Sequence, residues 1–341
     1  MRTIASPMPG NAAAATPTAT VGRFWRQFIV YLLGVALVAL LTIWQIGRDS
    51  GRTLQPNDMA NGPVSQPMLL ASGLLTSVAM ALYLAGWLAR RTRVTAAGRL
   101  SMWVALGLAT CAWVVRWYES YQIGAGMGHI PVSNLYEVFV VFIILTGVMM
   151  LYVEDRYRSD GMTVFTLPLV GAAYAFLYWY GGTRGAGAIT PLIPALQSYW
   201  MKLHVPANFL AYGAYSIAAM LAAARLLSGV RFLSARLPAV AWIDEAMYRA
   251  IAVGFACFTV ATILGALWAA EAWGGYWSWD PKETWALVVW LNYAAWLHFR
   301  MLGKVRPVAL AWWSLIGLFV TLFAFLGVNM YLAGLHSYGS L

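Results

Sequence analysis

Three tryptophans, a tyrosine and two glycines crowd into the seven residues Trp273-Gly274-Gly275-Tyr276-Trp277-Ser278-Trp279, and Asp280-Pro281-Lys282-Glu283 follow directly. The end of that string reads as a helix start: Asp280 suits the N-cap, Pro281 the first helical position and Glu283 the third position of a capping box. The aromatic residues before it form a glycine-bent loop at the mouth of a helix. Such a surface suits a large, flat, apolar ligand that stacks on indole rings. Tryptophan and tyrosine also gather at membrane–water interfaces as plain anchors, so that reading stands beside the first. The density of the cluster, its glycines and the acidic helix start favour a binding loop. Asp280 by itself reads as a cap before it reads as a catalytic acid.

A planar metal macrocycle lying on tryptophans needs axial ligands, and neutral imidazole is a common protein donor to haem iron. The chain has four histidines, His129, His204, His298 and His336. Which of them can meet the aromatic loop depends on the elements that carry them.

Of the 341 residues, 61% are hydrophobic and 10% charged, and apolar runs near twenty residues recur, which excludes a soluble globular domain. The expected fold is all-α, a polytopic transmembrane helical bundle of about nine spans, near 24–46, 69–89, 100–118, 135–153, 163–180, 206–228, 250–270, 283–299 and 308–332. Residues 1–22, rich in Ala, Thr and Pro, are expected to be a disordered cytoplasmic tail. Residues 23–68 hold the first span and an outer loop, and 69–341 hold the remaining spans with the aromatic loop at 271–283. No cleavage site follows the first apolar run, so it reads as a retained helix. The connection 229–249 has room for a short amphipathic helix around Asp244–Arg249.

The net charge is +10. In a membrane protein it bears on orientation, and no nucleic-acid partner is implied. Sixteen of the 22 Lys and Arg fall on one side of the nine-span scheme and six on the other. The N-terminus is therefore expected in the cytoplasm and the C-terminus outside. Cys111 and Cys257 lie far apart in apolar runs and read as packing residues, with no disulfide or zinc pattern.

In this scheme loop 271–283 lies outside, with His129, His204 and His336. His204 precedes the sixth span and His336 follows the ninth, so packing could bring both to opposite faces of one haem on the tryptophans. Each is also readable as a solvated loop histidine. His298 closes the span that starts at Asp280, about 27 Å away at 1.5 Å per residue, near the inner face. A histidine there is a functional candidate. If it ligates haem, its mate is another residue type or comes from another protein, because the other three histidines lie across the bilayer. His129 sits in Gly128-His129-Ile130-Pro131-Val132-Ser133-Asn134-Leu135-Tyr136-Glu137, where Asn134 and Glu137 have capping-box spacing. A structural role in that turn is favoured over ligand contact. Gly181-Gly182 and Gly185-x-Gly187 lack a strand–helix context and read as flexible linker.

The string W-G-G-Y-W-S-W-D-P-K-E-T-W-A-L-V-V-W-L resembles the tryptophan-rich "WWD" signature of haem-handling membrane proteins. G-H-I-P-V-S-N-L-Y-E at 128–137, K-L-H-V-P at 202–206, W-L-H at 296–298 and G-L-H-S-Y at 334–338 extend the likeness. Together they resemble the CcsA family of cytochrome c biogenesis (also named ResC, and CcsB in some genomes) over roughly residues 70–341.

That resemblance implies work with a ResB-like membrane partner as a System II cytochrome c synthase in the bacterial cytoplasmic membrane. Haem b would be carried to the outer face and presented to apocytochrome c, whose C-x-x-C-H thiols add to the haem vinyl groups. Carried over, His204 and His336 are outer axial ligands to the iron. Trp273, Trp277, Trp279 and Asp280 belong to the haem platform. His298 ligates an inner haem, its mate supplied by the partner. No residue of this chain need act as nucleophile. Lys282 and Arg184 are outer cations that could pair with propionates, or simply solvated charges. Two readings compete. One is a haem exporter or chaperone resembling CcmC, which hands haem on without attaching it. The other is a cytochrome b-like electron carrier, which the lone inner His298 disfavours.

Overall fold

The computed structural model describes residues 18–49, 64–123, 126–332 and 334. His336, most of the expected tail and most of the first outer loop lie outside the described residues. Every regular element among them is helical. In chain order these are α1 (Thr18–Asp49), α2 (Ser65–Ala89), α3 (Thr92–Ile123), α4 (Leu135–Tyr157), α5 (Asp160–Arg184), α6 (Tyr199–Leu227), a short α7 (Arg231–Ser234), α8 (Val240–Trp273), α9 (Pro281–Leu302) and α10 (Pro307–Leu322). A π-helical turn over Phe323–Gly327 then leads into α11 (Val328–Tyr331), and a single 3₁₀ turn, Pro194–Leu196, precedes α6.

Among the described residues, eight helical segments are both long and apolar enough to cross a membrane: α1 to α6, α8 and the segment Pro307–Tyr331. The protein is a multi-pass membrane protein. The remaining span of the nine-span scheme coincides with α9. Its 22 residues reach about 33 Å, enough for a hydrocarbon core of about 30 Å. Three tryptophans, Asn292, Tyr293 and His298 place polar atoms along it. α1 begins at Thr18, inside the stretch expected to be tail. Asp244–Arg249 forms the first turns of α8 and not a separate helix, since no Gly or Pro interrupts the run from Val240 to Val253.

The order of packing follows from side-chain size. α6 lies along α8, with Ala211, Ala214, Ala218 and Ala261 buried at or near the seam. A Cβ on Gly254 would sit 2.8 Å from the Tyr215 ring, so the two helices approach as closely as glycine permits. α2 and α3 form a hairpin, and α4 bridges to α5 and α6. α1 lies on the outside of α3 through Phe24, Phe28, Tyr31 and Trp103. A buried ion cluster ties these helices together at one end. Arg99 bonds Glu154 at 2.8 Å and Asp155 at 3.2 Å, and Arg23 of α1 reaches Asp155 at 2.5 Å.

Candidate functional site

The site forms at the opposite end, where α4, α9 and the π-turn meet the seam of α6 and α8. Ser198 caps α6 by accepting from the Trp200 N–H, and its hydroxyl donates to Glu271 near the end of α8 at 2.6 Å. That bond sets the register between the helix that carries His204 and the helix that leads into the aromatic loop. Trp268 donates its indole N–H to the Ala195 carbonyl at 2.8 Å, holding the 3₁₀ turn on the same end of α8.

His204 lies one turn into α6, facing α8. Its Nδ1 is 2.7 Å from the Ala261 carbonyl oxygen. A carbonyl only accepts, so Nδ1 carries the proton and Nε2 keeps the lone pair. Asn208, one turn on, donates its amide to Nε2 at 2.8 Å. The ring tilts against Trp268 with centroids 5.6 Å apart, and Trp268 in turn packs on Trp273 at 5.6 Å. Space for the imidazole exists because residue 265 is glycine: a Cβ there would lie 2.8 Å from His204 Cε1 and 2.9 Å from Nδ1.

His204 lines a cavity of about 320 Å³. Phe209, Tyr212, Phe258, Phe325 and Trp277 give it apolar walls, and Asn208, Lys282, Glu283 and Asn329 place polar groups among them. The segment 132–135 closes another side. Apolar walls with a few convergent polar groups are the usual make-up of a small-molecule site. The π-turn contributes Ala324 and Phe325, and such turns recur at functional positions.

The aromatic loop is built as the capping pattern predicts. Asp280 accepts from Lys282 N–H at 2.9 Å, and Glu283 Oε2 accepts from the Ser278 and Asp280 N–H groups at 2.7 and 3.3 Å. Asp280 is buried and committed to the cap. Trp277 and Trp279 meet edge to face at 5.8 Å. Trp279 is 68% exposed and holds a left-handed backbone with φ of 59°, a conformation costly for a bulky side chain. Tyr276 is 65% exposed and also lines the cavity. The structure thus brings His204, Trp277 and Lys282 to one cavity, with Trp273 behind Trp268 and Trp279 at the surface. A Cβ on Gly334 would run into the Asp280 carboxylate, so the chain after α11 returns to this cap.

His298, expected at the far end of its span, and Arg184 both lie away from this cavity. His298 is exposed near the far end of α9, edge-on to Phe299. Arg184 ends α5 and is not among the cavity residues. His129 is buried in a turn of its own. Nδ1 donates to the Met127 carbonyl at 2.7 Å, Nε2 lies 3.2 Å from Ser133 Oγ, and the backbone exchanges bonds with Ser120.

Sequence reasoning missed what holds that turn. Arg116, 2% exposed, bonds Glu137 at 3.0 Å and donates to the carbonyls of Gly187 and Ala188 at 2.8 and 3.1 Å. Glu137 accepts from Ser133 N–H and Oγ–H, so its carboxylate serves Ser133 and Arg116 instead of the Asn134 N–H that a capping box would use. The glycine segment expected as flexible linker is tied down by the same guanidinium and by Gln66, which donates to Gly187 O at 3.2 Å. An arginine inside an apolar run was the available signal. Cys111 and Cys257 are free thiols, as expected.

This is an all-helical, multi-pass membrane protein with an aromatic, histidine-bearing cavity at one end of the bundle. Residues 132–336 match the family described as Cytochrome C assembly protein, more than half of the chain. A protein named Cytochrome c biogenesis protein CcsA from Parasynechococcus marenigrum (strain WH8102) is 34% identical over 298 residues, covering 79% of this chain and 95% of its own. Its namesakes from Synechococcus sp. (strain RCC307) and Chlorella vulgaris are 35% and 32% identical, covering 82% and 70% of this chain. The chain belongs to the cytochrome c assembly family, and its role lies in cytochrome c biogenesis. Among solved structures, Cytochrome c Heme Lyase CcmF shares the fold, with a TM-score of 0.57 at 17% identity over 77% of this chain. This chain spans 48% of that one.

Proposed function

We propose that this chain binds haem b in the cavity at His204 and presents it for covalent attachment to apocytochrome c, as a subunit of a System II synthase with a ResB-like partner. The observation that carries the reading is the state of His204. Its Nδ1 proton is committed to Ala261, so Nε2 is the nitrogen with a lone pair, and the residue lines a cavity walled by aromatic rings. A second-shell bond of this kind fixes the tautomer and orientation of a metal-binding imidazole. Asn208 occupies Nε2 in the meantime and has to release it when iron binds.

His336 is the proposed second axial ligand, and Gly334, two residues before it, lies against Asp280. Trp273, Trp277 and Trp279 fix the macrocycle plane with Asp280 holding their loop, while Lys282 in the cavity wall faces the propionates. The thiols that attack belong to apocytochrome c. This chain contributes position, which for such an addition is worth several kcal/mol. His298, exposed on the flank of α9, is proposed to ligate haem with a mate from the partner. The orientation that fits is N-terminus inside and C-terminus outside, in the bacterial cytoplasmic membrane, with 69–341 as the haem-handling unit and 1–22 as a cytoplasmic tail.

The test is the absorption spectrum of the detergent-purified complex, as wild type and with His204 and His336 replaced by alanine. Reduced bis-imidazole bands that weaken in both variants and return with added imidazole are expected. A haem-free wild-type complex would leave the tryptophan loop as an interfacial anchor.

A further inference from the structure

A second cavity, of about 920 Å³, opens at the other end of α4 and α8, between the α2–α3 turn, the α4–α5 turn and the segment that leads into α8. Six arginines line it, Arg23, Arg90, Arg91, Arg99, Arg158 and Arg236, against two carboxylates, Glu154 and Asp160. Arg99 and Arg23 are satisfied by Glu154 and Asp155. Among the described residues, Arg90, Arg91, Arg158 and Arg236 have no carboxylate within 4 Å.

Three further observations concern the same lining. Tyr157 Oη and Arg236 Nε are buried with no hydrogen-bond partner, and buried polar atoms are rarely left so. Arg90 and Arg158 each cap a helix with a left-handed backbone, φ 54° and 49°, where glycine is the ordinary choice. Two strained caps thus aim guanidinium-bearing residues at one cavity. The walls are also cross-braced: Arg90 donates to Ala235 O at 3.3 Å, Arg236 to Leu88 O at 3.3 Å, and Trp87 Nε1 to Arg236 O at 3.4 Å.

We infer that this cavity binds a phosphate group, supplied by the headgroup of an anionic phospholipid. Arginine forks match phosphate oxygens, and basic pockets between transmembrane helices suit anionic headgroups. Trp242, 52% exposed, places an indole at the rim, tryptophan being a usual residue of the headgroup zone, and the buried Trp87 lines the wall.

The test uses the purified full-length chain in nanodiscs of phosphatidylcholine alone or with phosphatidylglycerol, and in detergent with inorganic phosphate. Thermal unfolding and native mass spectrometry are the readouts. Phosphatidylglycerol is expected to raise the unfolding temperature and to remain bound in the gas phase. Arg158→Gly relaxes a left-handed backbone, so it should unfold no earlier than wild type in phosphatidylcholine, yet lose about tenfold in apparent affinity for phosphatidylglycerol, as loss of one charge-assisted bond predicts. Arg236→Gln should show the same loss. Equal effects of the two lipids, or a full phosphatidylglycerol shift in Arg158→Gly, would overturn the site. A shift with inorganic phosphate and none with phosphatidylglycerol would overturn lipid as the source.

Discussion

His204 and Gly265 face each other across the α6–α8 seam so closely that a single methyl group at 265 would lie 2.8 Å from the imidazole. Alanine improves helix propensity over glycine by about 0.5–1 kcal/mol, so Gly265→Ala on α8 would ordinarily stabilise. Here it has to displace the ring and lengthen the 2.7 Å bond to Ala261. The expected outcome is a lower unfolding temperature and weaker bis-imidazole bands in the purified complex. A more stable protein with an unchanged spectrum would show that the ring position at 204 does not matter to haem.

Arg116 and Glu137 form a buried ion pair whose other bonds run to Ser133, Gly187 and Ala188. Removing one member leaves an unpaired buried charge, so Arg116→Ala should cost about 3–5 kcal/mol. Adding Glu137→Ala should then cost less than it does in the wild type, because the carboxylate has already lost its partner. Denaturant titration of the four proteins measures the coupling. Additive losses would mean that the pair is not the support of segment 128–137.

The spans and both helix starts, at Asn134 and at Asp280, were legible in the sequence because they depend on local pattern: apolar length in one case, cap chemistry a few residues apart in the other. Three things were not. The seam that positions His204 depends on which faces of α6 and α8 meet, and a glycine at 265 among many glycines does not announce its neighbour. His129 has the structural place in its turn that was expected, but the partners that hold the turn, Ser120 and the Arg116 that pairs with Glu137, are brought in from α3 by the fold. The π-turn at Phe323–Gly327 has no breaker residue before it, and its Phe323 and Phe325 pack on Trp285 and Phe209 of other helices.

Orientation is open to direct measurement. Loop 271–283 and the segment 132–135 meet at the His204 cavity, while the turns after α2 and α4 meet at the arginine-lined one, so each pair has to share a side. Reporter fusions after Gly275 should behave as exported, and fusions after Arg158 as cytoplasmic. A cytoplasmic signal at 275 would overturn the placement of the haem platform.

His298 is exposed on α9, so its replacement should leave the fold of this chain intact. His298→Ala should nonetheless reduce the haem recovered with the complex, while the isolated chain keeps its unfolding temperature. Full haem recovery and activity in the variant would remove His298 from the ligand set.

Trp279 separates loop support from ligand support. Its indole is 68% exposed and meets Trp277 edge to face, while its backbone sits at φ 59°. A left-handed non-glycine residue stores about 1–3 kcal/mol, which glycine releases and alanine does not. If the ring serves the fold, Trp279→Gly and Trp279→Ala should both destabilise. If it serves a ligand, Trp279→Gly should unfold at or above the wild-type temperature, Trp279→Ala at or slightly below it, and both should retain less haem to a similar degree. Thermal unfolding measured alongside the pyridine haemochrome content of the purified complex distinguishes the two. A stable Trp279→Gly protein with wild-type haem content would take Trp279 out of the platform and leave Trp273 and Trp277 to carry it.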